Sequence, residues 1–163
     1  MATITGYKLD TADGAQKMLD LVEDLTRQQL LTLQDAAMVT WPKGNKKPKT
    51  KHLGDLTAEG AVGGAFWGML FGLIFFVPFF GMAVGAVMGG LTGHFSNYGI
   101  DDDFIKSAQD KVTEGNSALF LMTSDAVTDK VVEALNTSGL NFEMFYTNLS
   151  TTQEEQLRDD FAA

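Results

Sequence analysis

The side chains that could do chemistry in this chain are few and far apart. Its 163 residues include two histidines, His52 and His94, and no cysteine. A zinc site needs several His or Cys ligands at short spacing, and no HExxH pattern occurs. The lack of cysteine also excludes disulfides, a thiolate metal site, a cysteine nucleophile and S-lipidation. We therefore predict no metal site, no cofactor and no catalytic residue.

His94 is the more suggestive of the two histidines because it follows Gly93 and precedes a polar run, 96–98. It could titrate at the mouth of an apolar hairpin, but a polar residue where a helix returns to water is the simpler explanation. Nucleotide binding has no support either, since no glycine run is followed by Lys-Ser or Lys-Thr. The chain is predicted not to be an enzyme.

Three consecutive acids, Asp101, Asp102 and Asp103, are the strongest candidate for a cation site. Adjacent acids at a helix start point in different directions, however, and no fourth ligand is suggested nearby. They also precede a helical pattern that begins at Phe104, and a helix N-terminus favours negative charge. We expect a helix cap rather than a metal site.

The basic side chains are concentrated in one segment, 43–52. This segment is either a solvated loop, with or without a strand, or a contact for anionic lipid headgroups, to which each lysine contributes on the order of 1 kcal/mol. The net charge of −9 argues against a nucleic-acid partner, since a phosphate-binding face needs clustered Lys and Arg. The possible headgroup contacts are Lys46, Lys47, Lys49 and Lys51.

The stretch that organises the chain is 60–99, which contains no Asp, Glu, Lys or Arg. Glycine recurs there at every fourth residue in two runs, and this spacing places each run on one side of a helix. A glycine stripe lets two helices approach closely, as in the small-xxx-small motif of membrane proteins. Because Pro78 ends the first helix, the stretch is predicted to be a helical hairpin. The predicted helix-packing and oligomerisation residues are Gly60, Gly64, Gly68, Gly72, Gly81, Gly85, Gly89 and Gly93.

The tip of this hairpin is apolar throughout, whereas a spanning hairpin usually has a polar turn on the far side. Each arm is roughly 20 to 25 Å long at 1.5 Å per residue, which is short of the hydrocarbon thickness of about 30 Å. We therefore expect a hairpin that dips into the bilayer, or one whose tip is buried by other copies of the protein. The predicted membrane-inserting residues are Phe75, Phe76, Pro78, Phe79 and Phe80.

The two glycine stripes allow two packing arrangements. Antiparallel pairing about the bend sets Gly68 opposite Gly89, so the stripes can meet within one hairpin. Alternatively, the glycines face outwards and join different copies of the chain. In the first arrangement the bulky side chains face lipid or neighbouring subunits, and these include Trp67, Leu70, Leu73 and Ile74.

The rest of the chain has the pattern of strands and amphipathic helices. Strands are predicted over 4–9, 30–41, 118–122 and 141–149, with helices after residue 14, after residue 103, over 127–135 and from residue 151. The first helix has one apolar side, made of Ala15, Met18, Leu19, Val22 and Leu25. The second strand has apolar residues at period two, namely Leu31, Leu33, Ala37, Val39 and Trp41.

An internal similarity between 13–22 and 126–135 indicates two βαβ units, since each copy lies between two strands. Two such units predict an α+β fold of the ferredoxin-like type, with two helices on one face of a four-stranded antiparallel sheet. Residues 1–57 and 100–163 form this split domain, and 58–99 form the hairpin inserted in it. An insertion at the rim of the sheet predicts that the two units fold without it.

Four segments carry a family resemblance: Asp-Ala-Ala-Met-Val at 35–39, the bend at Val77 and Pro78, 99–105 and 117–120. They resemble a bacterial family of domains of unknown function whose members are often described as membrane proteins, and the likeness spans nearly the whole chain. One departure is 114–117, where proline before the glycine and a second serine are more usual. The resemblance implies a membrane-type hairpin on a small α/β body, and it implies no activity.

These patterns predict a non-enzymatic, membrane-associated homo-oligomer with a structural or membrane-organising role. The second hypothesis is a soluble homo-oligomer whose hairpins form a shared apolar core, because helices that are apolar all round cannot form the surface of a soluble monomer. A channel or lipid-binding protein is third, weakened by the lack of a charged residue to line a pore. Without a secretory signal pattern at its start, the protein is expected on the cytoplasmic side of the inner membrane, or in the cytoplasm as a soluble assembly.

Overall fold

The computed structural model describes residues 2–53, 63–76, 95–124 and 128–161. Its strands are β1 (Ala2–Leu9), β2 (Thr32–Thr40), β3 (Lys49–His52), β4 (Ser117–Ser124) and β5 (Phe142–Leu149). Its helices are α1 (Gly14–Arg27), α2 (Gly63–Phe71), α3 (Asp102–Lys111), α4 (Thr128–Thr137) and α5 (Thr151–Phe161). A π-helical segment, Gly72–Phe76, continues α2. The described chain is a mixed α+β fold, which confirms the predicted class.

The five strands form one sheet in the order β3-β2-β4-β1-β5, and each neighbouring pair is antiparallel. In the middle of β1, Gly6 is paired with Phe120 of β4 and with Phe145 of β5. The ring of Phe145 covers Gly6 so closely that an added Cβ would lie 2.3 Å from the ring Cζ. Packing therefore requires glycine at this position.

Helices cover both faces of the sheet, whereas the sequence predicted helices on one face. The face covered by α1 and α4 is called the α1 face here, and its buried side chains include Tyr7, Leu9, Met18, Leu19, Val22, Leu119, Leu121 and Leu135. The other face, covered by α2, α3 and α5, is called the α2 face. Its buried side chains include Ile4, Ala37, Val39, Phe66, Trp67, Phe71, Phe104, Phe120, Phe145 and Leu157. The described part of the predicted hairpin thus shares a core with the sheet.

The second strand departs from the predicted period-two pattern. A β-bulge lies between Leu33 and Asp35 in its pairing with β4. Because a one-residue shift moves the following side chains to the opposite face, Leu33 packs on the α1 face while Ala37 and Val39 pack on the α2 face. The prediction that these residues share a face is wrong at Leu33.

Side chains accept hydrogen bonds from backbone N–H groups at the starts of α1 and α3, and only the second of these caps could be predicted from the sequence. Asp101 Oδ1 accepts a hydrogen bond from the Phe104 N–H at 2.9 Å, which confirms the predicted cap of α3. The first turn of α1 is satisfied from β4 instead, because the Ser117 hydroxyl accepts from the Ala15 N–H at 2.9 Å. That hydroxyl also donates to the Thr11 carbonyl oxygen at 2.6 Å, so it joins the start of β4 to the turn before α1.

Candidate functional site

The two sides of α2 differ in side-chain size rather than in polarity. The bulky side and its π-helical continuation lie on the sheet, where Trp67 is 1 % exposed and packs near Phe71 and Phe120 at ring-centroid distances of 5.8 and 6.5 Å. The other buried members of this side are Phe66, Leu70, Leu73, Ile74 and Phe75. The arrangement in which Trp67, Leu70, Leu73 and Ile74 face lipid or neighbouring subunits is therefore not the one in this structure.

The glycine side of α2 faces away from the described chain at Gly68 and Gly72, whereas Gly64 lies beside His52 of β3. Gly64 and Gly68 are exposed, Gly72 is half-buried, and Met69 beside them is 39 % exposed. A Cβ added at Gly68 or Gly72 would meet no atom of the described residues within 4 Å. The other predicted packing residues, Gly60, Gly81, Gly85, Gly89 and Gly93, lie outside the described residues. The glycine side is thus available for contact beyond the described chain.

The predicted tip is described only at its first residues. Phe75 is 3 % exposed, and its ring lies edge-on to Trp41 at a centroid distance of 6.3 Å. Its contacts are with the core, and they do not support its predicted insertion into a membrane. Pro78, Phe79 and Phe80 lie outside the described residues, as does His94, and for Phe76 only the backbone is described.

The predicted headgroup lysines lie near the edge of the sheet at β3. Lys49 and Lys51 are exposed on this strand, paired with Thr40 and Met38 of β2. Lys46 and Lys47 are exposed in the loop that precedes it. Contact with lipid headgroups stays a prediction for these four side chains.

A pair of titratable side chains, Asp35 fully buried and His52 partly exposed, joins β2 to β3. Asp35 Oδ1 lies 2.7 Å from His52 Nε2, and Asp35 is 0 % exposed. The Ala36 N–H donates to the same carboxylate oxygen at 2.8 Å. A Cβ added at Gly64 would lie 3.6 Å from His52 Nδ1, so the start of α2 packs beside the imidazole. The pair therefore connects β2, β3 and α2.

A carboxylate that orients an imidazole can hold a proton at a fixed place. In this chain the second ring nitrogen of His52 lies beside the backbone of α2, so the geometry is suited to fastening elements together. The pair is not apparent from the sequence alone. The available signal was an acid, Asp35, inside an otherwise apolar strand. The bulge that places it on the α2 face cannot be recognised from the spacing of apolar residues in β2.

Polar contacts also fasten α5 to the α2 face. Arg158 donates to Gln34 beside the bulge of β2 and to Glu154 at 3.0 Å. The Tyr98 hydroxyl donates to Asp160 at 2.5 Å. Burial, and then this hydrogen bond, raises the pKa of Tyr98 to about 12, so the hydroxyl stays a donor at neutral pH. These contacts hold α5 against β2 and against Tyr98.

A shallow depression of about 160 Å³ lies where β1 ends and α1 begins. Thr11, Gly14 and Lys17 are among its lining residues. A hydrogen bond from Thr11, followed by the charge of Lys17, lowers the pKa of the neighbouring Asp13. The Ala15 N–H at this helix start already donates to Ser117, so the depression is a gap between elements rather than a prepared anion site.

The described residues contain neither a membrane-spanning helix nor a cluster of metal ligands. In the described ranges, no helix combines the length and the apolar character needed to cross a membrane. Among the same residues, no group of three or more His, Asp or Glu side chains is placed to hold a metal ion. Asp102 and Asp103 are exposed in the first turn of α3, as expected for acids at a helix start.

Comparison with known proteins identifies a family. The profile of a family described as protein of unknown function (DUF1269) matches residues 61–162, from the start of α2 through α5. Neither the curated proteins nor the solved structures gave a match. Because the family match covers more than half of the 163 residues, the chain belongs to the DUF1269 family of proteins of unknown function.

Proposed function

We propose that this chain is a non-enzymatic protein that assembles with copies of itself through the glycine side of α2, in association with a membrane, and has a structural or membrane-organising role. The observation that carries the proposal is the division of α2 by side-chain size. Its bulky side packs within the chain, whereas on its glycine side Gly68 is exposed and a Cβ added there would meet no described atom within 4 Å. Exposed glycines at four-residue spacing are the surface that close helix packing uses.

The membrane part of the proposal rests on the composition of the hairpin stretch. No charged residue occurs between residues 60 and 99, and the four lysines near β3 precede this stretch. An apolar stretch next to exposed lysines suits a surface of anionic lipid, which attracts the basic side chains and accepts the apolar ones.

We also propose that the sheet is of the ferredoxin-like type, with β3 and the hairpin inserted between its two βαβ units. The strand order supports this: without β3 it is β2-β4-β1-β5, and β1 lies between the strands of the second unit. Helices α1 and α4, which follow β1 and β4 along the chain, lie on the same face. These are the features of two interleaved βαβ units.

Assembly through the glycine side predicts that Gly68→Leu separates the copies without damaging the fold. A Cβ added at Gly68 would meet no described atom of its own chain within 4 Å, and leucine is the better helix former by up to about 1 kcal/mol. It would hold a second helix away from the stripe. We expect the assembled form to be lost in size measurements in mild detergent, with unchanged or raised thermal stability.

Gly68→Ala is the matched control, because alanine is small enough to let a second helix pack closely against the glycine side. This variant should assemble as the original chain does. Unchanged assembly in the leucine variant would show that the glycine side has no packing role, and a large loss of thermal stability would show that the stripes meet within one chain.

A soluble assembly is the second candidate function, and the burial of Phe66, Trp67 and Phe71 on the sheet favours it. A helix whose bulky side is buried within the chain exposes less apolar surface than one whose bulky side faces outwards, so it depends less on lipid to cover that surface. Cell fractionation separates the candidates: a membrane-associated protein should sediment with membranes and require detergent for release. Recovery of the assembled protein in the soluble fraction without detergent would support the soluble assembly and contradict the membrane association.

A further inference from the structure

The two ends of the sheet carry charge of opposite sign. One end, called the Trp41 end here, is where β1 and β2 finish and where β3, β4 and β5 begin. It includes the loop between β2 and β3, 41–48, which is called the basic loop. The opposite end, called the α5 end, is where β5 finishes and α5 begins. Each end therefore gathers residues from several parts of the chain.

Lysines predominate at the Trp41 end. Five of the chain's 12 Lys and Arg residues lie in the basic loop and β3, which contain none of its 21 Asp and Glu residues. Three acids near the other strand ends are paired with lysines at Nζ–O distances of 2.7, 3.8 and 3.4 Å, namely Asp10 with Lys8, Asp13 with Lys17 and Glu143 with Lys111. The lysines of the basic loop and β3 thus give this end its positive charge.

Acids predominate at the α5 end. α5 has four acids against one arginine, and Asp101, Asp102 and Asp103 begin α3. The start of α3 belongs to this end because a Cβ added at Gly99 would lie 2.7 Å from Gln153 Oε1 of α5. The two ends are separated by the length of the sheet, which is about 26 Å for an eight-residue strand.

The basic loop is held in place at several points. The Trp41 indole N–H donates to the Asn45 carbonyl oxygen at 2.9 Å, and the Trp41 backbone N–H donates to the Asn116 carbonyl oxygen at 2.9 Å. The Glu114 carboxylate accepts from the Gly44 N–H. A loop fixed in this way presents its lysines at set positions, so it loses less conformational entropy on binding than a flexible charged segment does.

The apolar stretch reaches the same end of the sheet. The start of α2 lies beside His52, where β3 finishes, and Phe75 in its π-helical continuation lies edge-on to Trp41 at 6.3 Å. Trp41 is half-buried, and tryptophan is concentrated at membrane interfaces. A nucleic acid or an acidic protein would neutralise the lysines only, whereas a bilayer accepts lysines at its headgroups and apolar side chains below them. The combination favours anionic lipid as the partner.

We propose that the Trp41 end is the surface that meets anionic phospholipid, with the basic loop at the headgroups and the α5 end directed away from the membrane. This orientation rests on the membrane association proposed above. Charges in physiological salt are screened over about 8 Å, much less than the length of a strand, so the acids of the α5 end would scarcely be repelled. The reverse orientation would place the acids of α3 and α5 against the anionic surface.

Vesicle binding tests the role of the basic loop in the full-length protein. Lys43→Ala together with Lys46→Ala removes two exposed lysines of this loop. Because each lysine at an anionic surface changes affinity about fivefold, binding to phosphatidylcholine vesicles with about one third phosphatidylserine should weaken about 25-fold. Arg27→Ala together with Lys130→Ala makes the same change in net charge at exposed positions of the α5 end. This control pair should weaken binding no more than about twofold.

Site-specific labelling tests the orientation. The chain has no cysteine, so Lys46→Cys and Glu155→Cys each provide one exposed site for a fluorophore, the first at the Trp41 end and the second at the α5 end. Lipid with a nitroxide headgroup should quench the label at position 46 and leave the label at position 155 unquenched, because the two ends are about a strand length apart. Both measurements are repeated in the Gly68→Leu chain, where self-assembly cannot multiply the affinity.

Selective weakening by the loop pair, together with quenching at position 46 alone, supports the inference. Equal weakening by the two pairs, equal quenching at the two sites, or undiminished binding to phosphatidylcholine alone overturns it and leaves the membrane association intact. A chain that binds neither kind of vesicle contradicts the membrane association itself, and this inference with it. If the Trp41 end takes the α5 end of a second copy instead, the loop pair will weaken self-association without lipid and spare vesicle binding, which also overturns the inference.

Discussion

Replacing Trp67 with alanine should lower the free energy of unfolding by about 3–5 kcal/mol, the range for truncating a large buried aromatic side chain. The indole is 1 % exposed and lies among Phe66, Phe71 and Phe120, so its removal leaves a cavity between α2 and the sheet. Denaturant unfolding followed by circular dichroism measures the loss without relying on tryptophan fluorescence, which the substitution changes.

Met69→Ala is the matched control, since Met69 is on the same helix and 39 % exposed on the glycine side. It should change stability by no more than about 0.5 kcal/mol. Equal effects of the two substitutions would mean that the bulky side of α2 does not pack on the sheet in solution and faces lipid or other subunits instead. The indole N–H has no acceptor among the described residues, so Trp67→Phe should cost less than Trp67→Ala.

Replacing His52 with alanine should destabilise the fold by about 3 kcal/mol, because it removes the imidazole from a fully buried carboxylate. It also takes away the side chain against which the start of α2 packs at Gly64. Thermal and denaturant unfolding of the purified chain measure the loss, and hydrogen exchange should show β3 opening more readily.

Lys51→Ala is the control for this substitution, because the neighbouring lysine is exposed on the same strand. Its effect should stay within about 0.5 kcal/mol. If the lost contact between Asp35 and His52 causes the loss, then adding Asp35→Ala to His52→Ala should cost less than the sum of the two single changes. A His52→Ala chain as stable as the Lys51→Ala chain would show that the pair contributes nothing to the fold.

Much of the body of the chain could be predicted from local patterns. The apolar side of α1 has the period of a helix, and the structure buries all five of its predicted core residues: Ala15, Met18, Leu19, Val22 and Leu25. The buried strand β4 and the cap at Asp101 also follow from composition and spacing over a few residues. Such features depend on residues close together in the sequence, so they can be recognised without knowledge of the fold.

What the sequence did not predict depends on contacts between distant residues or on side-chain volume. The bulge in β2 shifts the face of the strand without changing its composition, and the Asp35–His52 pair forms only because β2 and β3 are neighbours. The orientation of α2 was missed because an all-apolar helix has no polar side. The sequence does show that aromatic residues lie on one side of this helix and glycines on the other. Side-chain volume was therefore the available signal that the aromatic side is the buried one.

The burial of the large side chains of α2 bears on the expectation that the two βαβ units fold without the predicted hairpin. The described part of the hairpin supplies Phe66, Trp67 and Phe71 to the same core cluster as Phe104 and Phe120. A chain lacking them would expose these apolar partners to water. The burial of α2 therefore argues that residues 63–76 are an integral part of the domain rather than a removable insertion.

The central place of β1 in the sheet has a consequence for the growing chain on the ribosome. Thr3 pairs with Thr123 and with Asn148, so β1 meets its two neighbours only after more than about a hundred further residues have been made. At about 5–20 residues per second this delay is on the order of ten seconds. The aromatic residues of α2 emerge during that interval, before β4 exists to cover them. The aromatic side chains of α2 are thus made well before the strand that buries them.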